Sequence, residues 1–184
     1  MKTLKEQYKE KIAPELKKVF SYTNDFSIPK MQKVTVNVGI GRVTDRNERE
    51  AIKKMLTAIT GQVPQERTTN KNIATFKIRR GALVGYRVTL RGKRMFLFVD
   101  KLVNATIPRM RDFRGIKRSA VDEHGNMNLG IHEHIIFPEM TGEDINRIYS
   151  FQINITTTAP SHDEAIKLFE LVGFPFERIE EENS

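Results

Sequence analysis

The segment KVTVNVGIG, residues 33–41, constrains the fold more than any other. Val34, Val36 and Val38 alternate with Lys33, Thr35 and Asn37. Successive side chains of a strand point to opposite faces, so the pattern predicts a strand with one apolar and one polar face. The apolar face must be covered by another layer, and the polar face is left for water or a ligand. Segments 65–69, 75–79 and 84–91 read as further strands, with Arg80-Gly81 and Gly85 punctuating the turn between the last two. Strand-like pieces at 128–134 and 149–157 flank a loop around 138–147.

Helical spacing fills the remainder. Thr3 and Glu6 form a capping box ahead of an apolar stripe, Leu4, Tyr8, Ile12, Leu16, Val19 and Phe20, with Pro14 predicting a kink near residues 12–13. Thr44 or Asp45 caps a helix that buries Ala51, Ile52, Met55, Leu56 and Ile59 and stops at Gly61. Gly92 opens a helix over 93–106 with Met95, Phe96, Phe98, Val99, Leu102 and Val103 apolar, and Pro108 ends it. Residues 109–126 are irregular. Ser161 with Glu164 is a second capping box, before Ala165, Ile166, Leu168, Phe169 and Val172, and Gly173 terminates that helix. Adjacent strands joined by short turns point to an α+β fold: a largely antiparallel sheet, helices packed on one face, and a protruding basic hairpin. One domain over residues 1–178 is expected, with 179–184 an acidic, disordered tail.

Several classes of function fall away. The chain has no cysteine, which removes disulfides, thiolate metal sites and thiol nucleophiles. The start, MKTLKEQYKEKIAPELKK, lacks the apolar segment of a secretory signal, and nowhere do roughly 18 apolar residues run together, so no membrane partner and a cytoplasmic life are expected. No Ser-His-Asp order, nucleophile elbow, Walker loop or paired carboxylate offers catalytic residues. The pair Gly39 and Gly41 lacks the third glycine and helix start of a dinucleotide site, so no cofactor is expected. His132 and His134 would share a face of a strand, but no third ligand has suitable spacing, and no metal is expected.

Charge distribution is more informative than the net +8. Residues 61–118 carry 15 Lys and Arg against 3 Asp and Glu, whereas residues 119–184 carry 3 against 13. A basic middle and an acidic end suggest one face for a polyanion and another for a neutral or basic partner. Within 67–94, Arg67, Lys71, Lys77, Arg79, Arg80, Arg87, Arg91, Lys93 and Arg94 are interleaved with Thr68, Thr69, Asn70, Asn72 and Thr75. Such side chains bind phosphate oxygens and sugar hydroxyls without demanding a base sequence. A solvated basic face is the bland alternative; 15 cations against 3 anions favours nucleic acid. An arm over 71–85, with about 7 residues a side, would project about 20 Å. In PRMRDFRG, Arg109, Arg111 and Arg114 could grip a phosphate or carboxylate, or Phe113 could wedge into the core and leave them in water; both readings stay open.

The motifs VTVNVGIG, FKIRRG, VTLRGKRM, IPRMRDFRG, GIHEHIIFPE, ITTTA and GFPF, together with Thr60–Pro64, resemble in order the universal large-subunit ribosomal protein L-five family in its bacterial form, over about residues 9–178. The resemblance implies a non-catalytic RNA-binding protein that anchors 5S rRNA in the central protuberance, beside 23S rRNA and other protuberance proteins. It also implies contact with P-site transfer RNA and a bridge to the small-subunit protein S-thirteen. Carried over by residue, Lys33, Thr35, Asn37, Arg67, Thr69 and Arg91 resemble the 5S rRNA surface. Lys71, Asn72, Lys77, Arg79 and Arg80 resemble the loop that reaches transfer RNA. Arg109, Arg111, Arg114, Glu143 and Asp144 resemble bridge elements. Pro14 and the glutamate-rich tail depart from the commoner family pattern.

Overall fold

The alternating segment forms a nine-residue strand because its valines have somewhere to go. In chain order, α1 (Leu4–Gln7), a π turn (Tyr8–Ile12) and α2 (Ala13–Val19) precede β1 (Met31–Gly39), α3 (Arg46–Thr60), β2 (Gln65–Thr68), β3 (Leu83–Leu90), α4 (Gly92–Lys101), β4 (Met127–Ile131), β5 (Phe151–Thr157) and α5 (His162–Val172). The five strands form one sheet in the order β2-β3-β1-β5-β4, and the α+β expectation holds. The structure, a computed structural model, describes residues 3–41, 43, 45–72, 79–111, 113–140 and 147–177. The strand expected at 75–79 therefore lies outside the described residues, apart from Arg79, as do Thr44 and the tail. The chain falls into two compact units, one comprising Val34–Leu90 and Leu129–Ile153, the other Met1–Lys33, Arg91–Asn128 and Asn154–Ser184.

In the Val34–Leu90 unit, β1 and β2 both pair antiparallel with β3. Val34, Val36 and Val38 sit opposite Leu90, Val88 and Tyr86 on the face that is buried. Of the expected α3 stripe, Ile52, Met55, Leu56 and Ile59 are buried and the helix packs on this face, whereas Ala51 is exposed. Burying apolar area at about 25 cal/mol per Å² makes this layer the main source of the unit's stability. Asp45 caps α3 by accepting from the Asn47 N–H at 3.0 Å, and Gly61 closes it in the left-handed region at φ 67°. Lys53 of α3 reaches Glu66 of β2 at 3.5 Å, so Glu66 lies on the helix side of the sheet. Burial pushes the Tyr86 phenol above its ordinary pKa, with Glu66 and Glu50 adding to the effect.

In the other unit, the capping box of Thr3 and Glu6 is complete in both directions. Pro14 has no N–H to give the carbonyl one turn back, and the helix widens there into a π turn, closed by the Ala13 N–H donating to the Tyr8 carbonyl. Leu4, Ile12 and Leu16 are buried, whereas Val19, expected in the same stripe, is exposed where α2 ends. The second capping box is half made. The Ser161 hydroxyl accepts from the Glu164 N–H at 3.4 Å, but the Glu164 carboxylate instead accepts from the Tyr22 hydroxyl. Burial first, and that carboxylate second, push the Tyr22 phenol well up. In α5, Ala165, Ile166, Leu168, Phe169 and Val172 are buried as their spacing predicts, and Phe169 meets Phe174 edge-on at 5.6 Å.

Candidate nucleic-acid interface

Strand register decides which side chains share the face opposite α3. Thr35 pairs with Thr89, Asn37 with Arg87 and Gly39 with Gly85 across β1 and β3. On the other side of β3, Gln65 pairs with Arg87 and Arg67 with Gly85. Three rows result: Thr35–Thr89, Asn37–Arg87–Gln65 and Gly39–Gly85–Arg67. Neighbouring strands stand about 4.8 Å apart, and residues two apart on one strand about 6.8 Å. The face therefore presents two guanidiniums, two amides and two hydroxyls, set on a rigid backbone.

The glycine row has its own logic. A Cβ on Gly85 would stand 2.9 Å from the Val38 carbonyl oxygen, closer than real Cβ atoms come to backbone. The two strands can approach as they do only with glycine at this position. Gly39 opposite it also carries no side chain and is exposed, whereas Gly85 is buried.

The electrostatics are sided. Glu66 is held by Lys53, and Glu48 by Arg147 and Tyr149. Among the described residues, neither Arg67 nor Arg87 has a carboxylate partner. Arg87 is half-buried and stands in register between Asn37 and Gln65. Arg87, Gln65 and Thr89 were not among the residues assigned from the resemblance; the strand alternation of 83–90 would have indicated Arg87 and Thr89, whereas Gln65 joins the face only through register.

The base of the basic loop follows β2. The Thr69 hydroxyl donates to the Arg79 carbonyl at 2.8 Å, the Gly81 N–H to the Thr69 carbonyl at 2.9 Å, and the Arg80 N–H to the Asn72 Oδ1 at 2.7 Å. Thr69 and Asn72 thus staple the base, while Lys71, Arg79 and Arg80 stand exposed. Lys77 lies outside the described residues.

In the unit containing Met1–Lys33 and Arg91–Asn128, Lys33 is half-buried on β1 and Arg91 is exposed at the start of α4. Arg109, Arg111 and Arg114 are all exposed, and Phe113 between them is half-buried. The exposure agrees with the reading that leaves the guanidiniums in water, with the Phe113 ring only half covered. The closing GFPF motif clips the segment in place. Ile116 donates to the Pro175 carbonyl at 2.8 Å, and Glu177 to the Ile116 carbonyl at 3.0 Å. A Cβ on Gly115 would stand 2.6 Å from the Glu177 nitrogen, so this crossing also needs glycine. Glu143 and Asp144 lie outside the described residues.

The histidines separate. β4 ends at Ile131, leaving His132 exposed, while His134 begins a 3-10 turn and is buried. The shared strand face expected for them does not form. The His134 Nδ1 accepts from the Tyr149 N–H at 3.2 Å, and the two rings lie 5.4 Å apart. Among the described residues, no three His, Asp or Glu side chains gather as metal ligands.

A family model for the C-terminus of the ribosomal L5 family matches residues 83–176, and one described as Ribosomal protein L5 matches residues 24–79. The chain is 44% identical over 177 residues to a large ribosomal subunit protein uL5 of Halothermothrix orenii, covering 96% of this chain and 99% of that one. It is 44% identical over 180 residues to the protein of the same name from Ureaplasma urealyticum, covering 97% and 98%. A third such protein, from a Thermotoga strain, is 44% identical over 178 residues, covering 95% and 96%.

Proposed function

We propose that this chain, which belongs to the ribosomal protein L5 family, lays the outer face of β1, β2 and β3 along 5S rRNA and so helps anchor that RNA in the central protuberance. Membership makes it a structural, non-enzymatic constituent of the large ribosomal subunit, and with the ribosome it is cytoplasmic. Arg67 and Arg87 neutralise phosphates and release condensed counterions. Asn37 and Gln65 offer amides, and Thr35 and Thr89 hydroxyls, to phosphate oxygens and ribose 2′-hydroxyls. The exposed, side-chain-free backbone at Gly39 lets a sugar-phosphate chain come close. Lys33, Arg91 and Thr69 belong to the same assignment by family resemblance.

The observation that carries the reading is the sidedness of the sheet: two unpaired guanidiniums and a row of amides on one face, the paired carboxylates and α3 on the other. Finer assignments follow from the resemblance. Lys71, Lys77, Arg79 and Arg80, on the loop stapled by Thr69 and Asn72, contact P-site transfer RNA. Arg109, Arg111 and Arg114, with Glu143 and Asp144, take part in a bridge to the small-subunit protein S-thirteen. 23S rRNA and other protuberance proteins are the further neighbours. Filter binding of 5S rRNA across a salt series tests the mechanism. Affinity is expected to fall steeply as salt rises, and a flat response would overturn it.

A further inference from the structure

Phe26 is 89% exposed, the most exposed large apolar side chain among the described residues. Its backbone is fixed by a turn. Asn24 Oδ1 accepts from the Phe26 N–H at 2.9 Å, and the Ser27 N–H donates to the Asn24 carbonyl at 3.1 Å. The ring stands at the rim of a cleft of about 460 Å³, within the size range of small-ligand sites. Ala13, Pro14 and Ile28 give this cleft apolar walls. The π turn forced by Pro14 sets Tyr8 and Lys9 on its side, and such turns recur at functional sites. Tyr8 is locked there by donating to the Pro29 carbonyl at 2.6 Å.

The charge around the cleft selects the occupant. Lys9, Lys17 and Lys30 line it against one acid, Asp25, and that acid is taken by Lys17 at 2.5 Å. Lys9 and Lys30 have no carboxylate partner among the described residues. A flat aromatic ring over an apolar cleft, with free ammonium groups on its rim, matches an unstacked nucleobase whose flanking phosphates meet the lysines. An acidic peptide without an aromatic residue would satisfy the lysines but leave the ring with no planar partner.

We infer that the cleft beneath Phe26 receives a single unpaired nucleobase of ribosomal RNA, stacked on the Phe26 ring and fixed through its phosphates by Lys9 and Lys30. This is a second RNA contact, separate from the sheet face; it rests on the reading of the chain as an rRNA-binding protein. Photocrosslinking from p-benzoylphenylalanine in place of Phe26, in assembled large subunits, tests it. The expected product is nuclease-sensitive and maps to one unpaired nucleotide. Crosslinking to a protein, to paired RNA, or to nothing overturns the inference. In parallel, affinity for deproteinised large-subunit rRNA is measured on the full chain. Phe26→Ala is expected to lose about tenfold and Phe26→Tyr to stay within about twofold. If Phe26→Ala binds like wild type while Arg67→Ala with Arg87→Ala weakens binding, the cleft fails and the sheet reading stands; the converse pattern sinks the sheet reading alone.

Discussion

Removing both guanidiniums from the sheet face, as Arg67→Ala with Arg87→Ala, should change the salt dependence of RNA binding and not only its strength. Each phosphate neutralised contributes about 0.7 to 0.9 to the slope of log affinity against log salt, so two contacts contribute about 1.6. Between 50 and 200 mM salt, a fourfold change, that slope difference amounts to about tenfold in affinity. The variant should therefore lie about tenfold further below wild type at 50 mM than at 200 mM. The assay is filter binding of 5S rRNA at four or five salt concentrations, with circular dichroism to show that the variant folds. Arg87 is half-buried but carries no ion pair, and Arg67 is exposed, so the fold should survive. Arg87→Lys keeps the charge and loses the bidentate fork; it should keep the slope and lose affinity uniformly. Parallel lines for wild type and the double variant would refute the argument, because they would mean that neither arginine displaces a counterion.

Gly85→Ala places a Cβ against the Val38 carbonyl, so β1 and β3 must part; a loss of about 1–3 kcal/mol in urea unfolding is expected, with weaker 5S rRNA binding. His134→Ala leaves the Tyr149 N–H without its acceptor and should cost about 1–3 kcal/mol, with no recovery on adding zinc. Burial pushes the Tyr8 phenol up from 10.0 to about 12, and only the protonated form donates to Pro29. Its folded pKa is raised, so the stability it contributes is complete below pH 10 and lost as pH rises toward 12. Urea midpoints should fall more steeply over that window in wild type than in Tyr8→Phe; equal slopes would contradict the assignment. Replacing Arg79 and Arg80 with alanine should spare 5S rRNA binding and weaken transfer-RNA contact in assembled ribosomes, and equal loss of both would refute the division of labour.

The strands with strong alternation were legible because local pattern and tertiary burial agree. The valines of β1 announce which face is inside, and the kink at Pro14 follows from a missing N–H. What escaped was set by partners distant in sequence. The strand expected over 65–69 forms, though exposed throughout and without an apolar face of its own; its register on β3, which puts Gln65 beside Arg87, has no local signal. The second capping box is half broken because Tyr22, far along the chain, captures the Glu164 carboxylate. His132 and His134 would have shared a face had β4 continued; it stops at Ile131, and the turn that follows sends His134 into the core. The cluster of cations pointed to nucleic acid, but which cations share a face with amides is a property of the sheet.

The claim on which the rest depends is that RNA lies on the face opposite α3. Titrating 5S rRNA into isotope-labelled protein and following side-chain signals by NMR tests it most directly. The amide groups of Asn37 and Gln65 and the guanidinium signals of Arg67 and Arg87 should shift together and saturate with the bound RNA, while the Lys53 ammonium paired with Glu66 stays unchanged. Shifts centred on Lys53 and α3, with the four outer-face groups unmoved, would contradict the account.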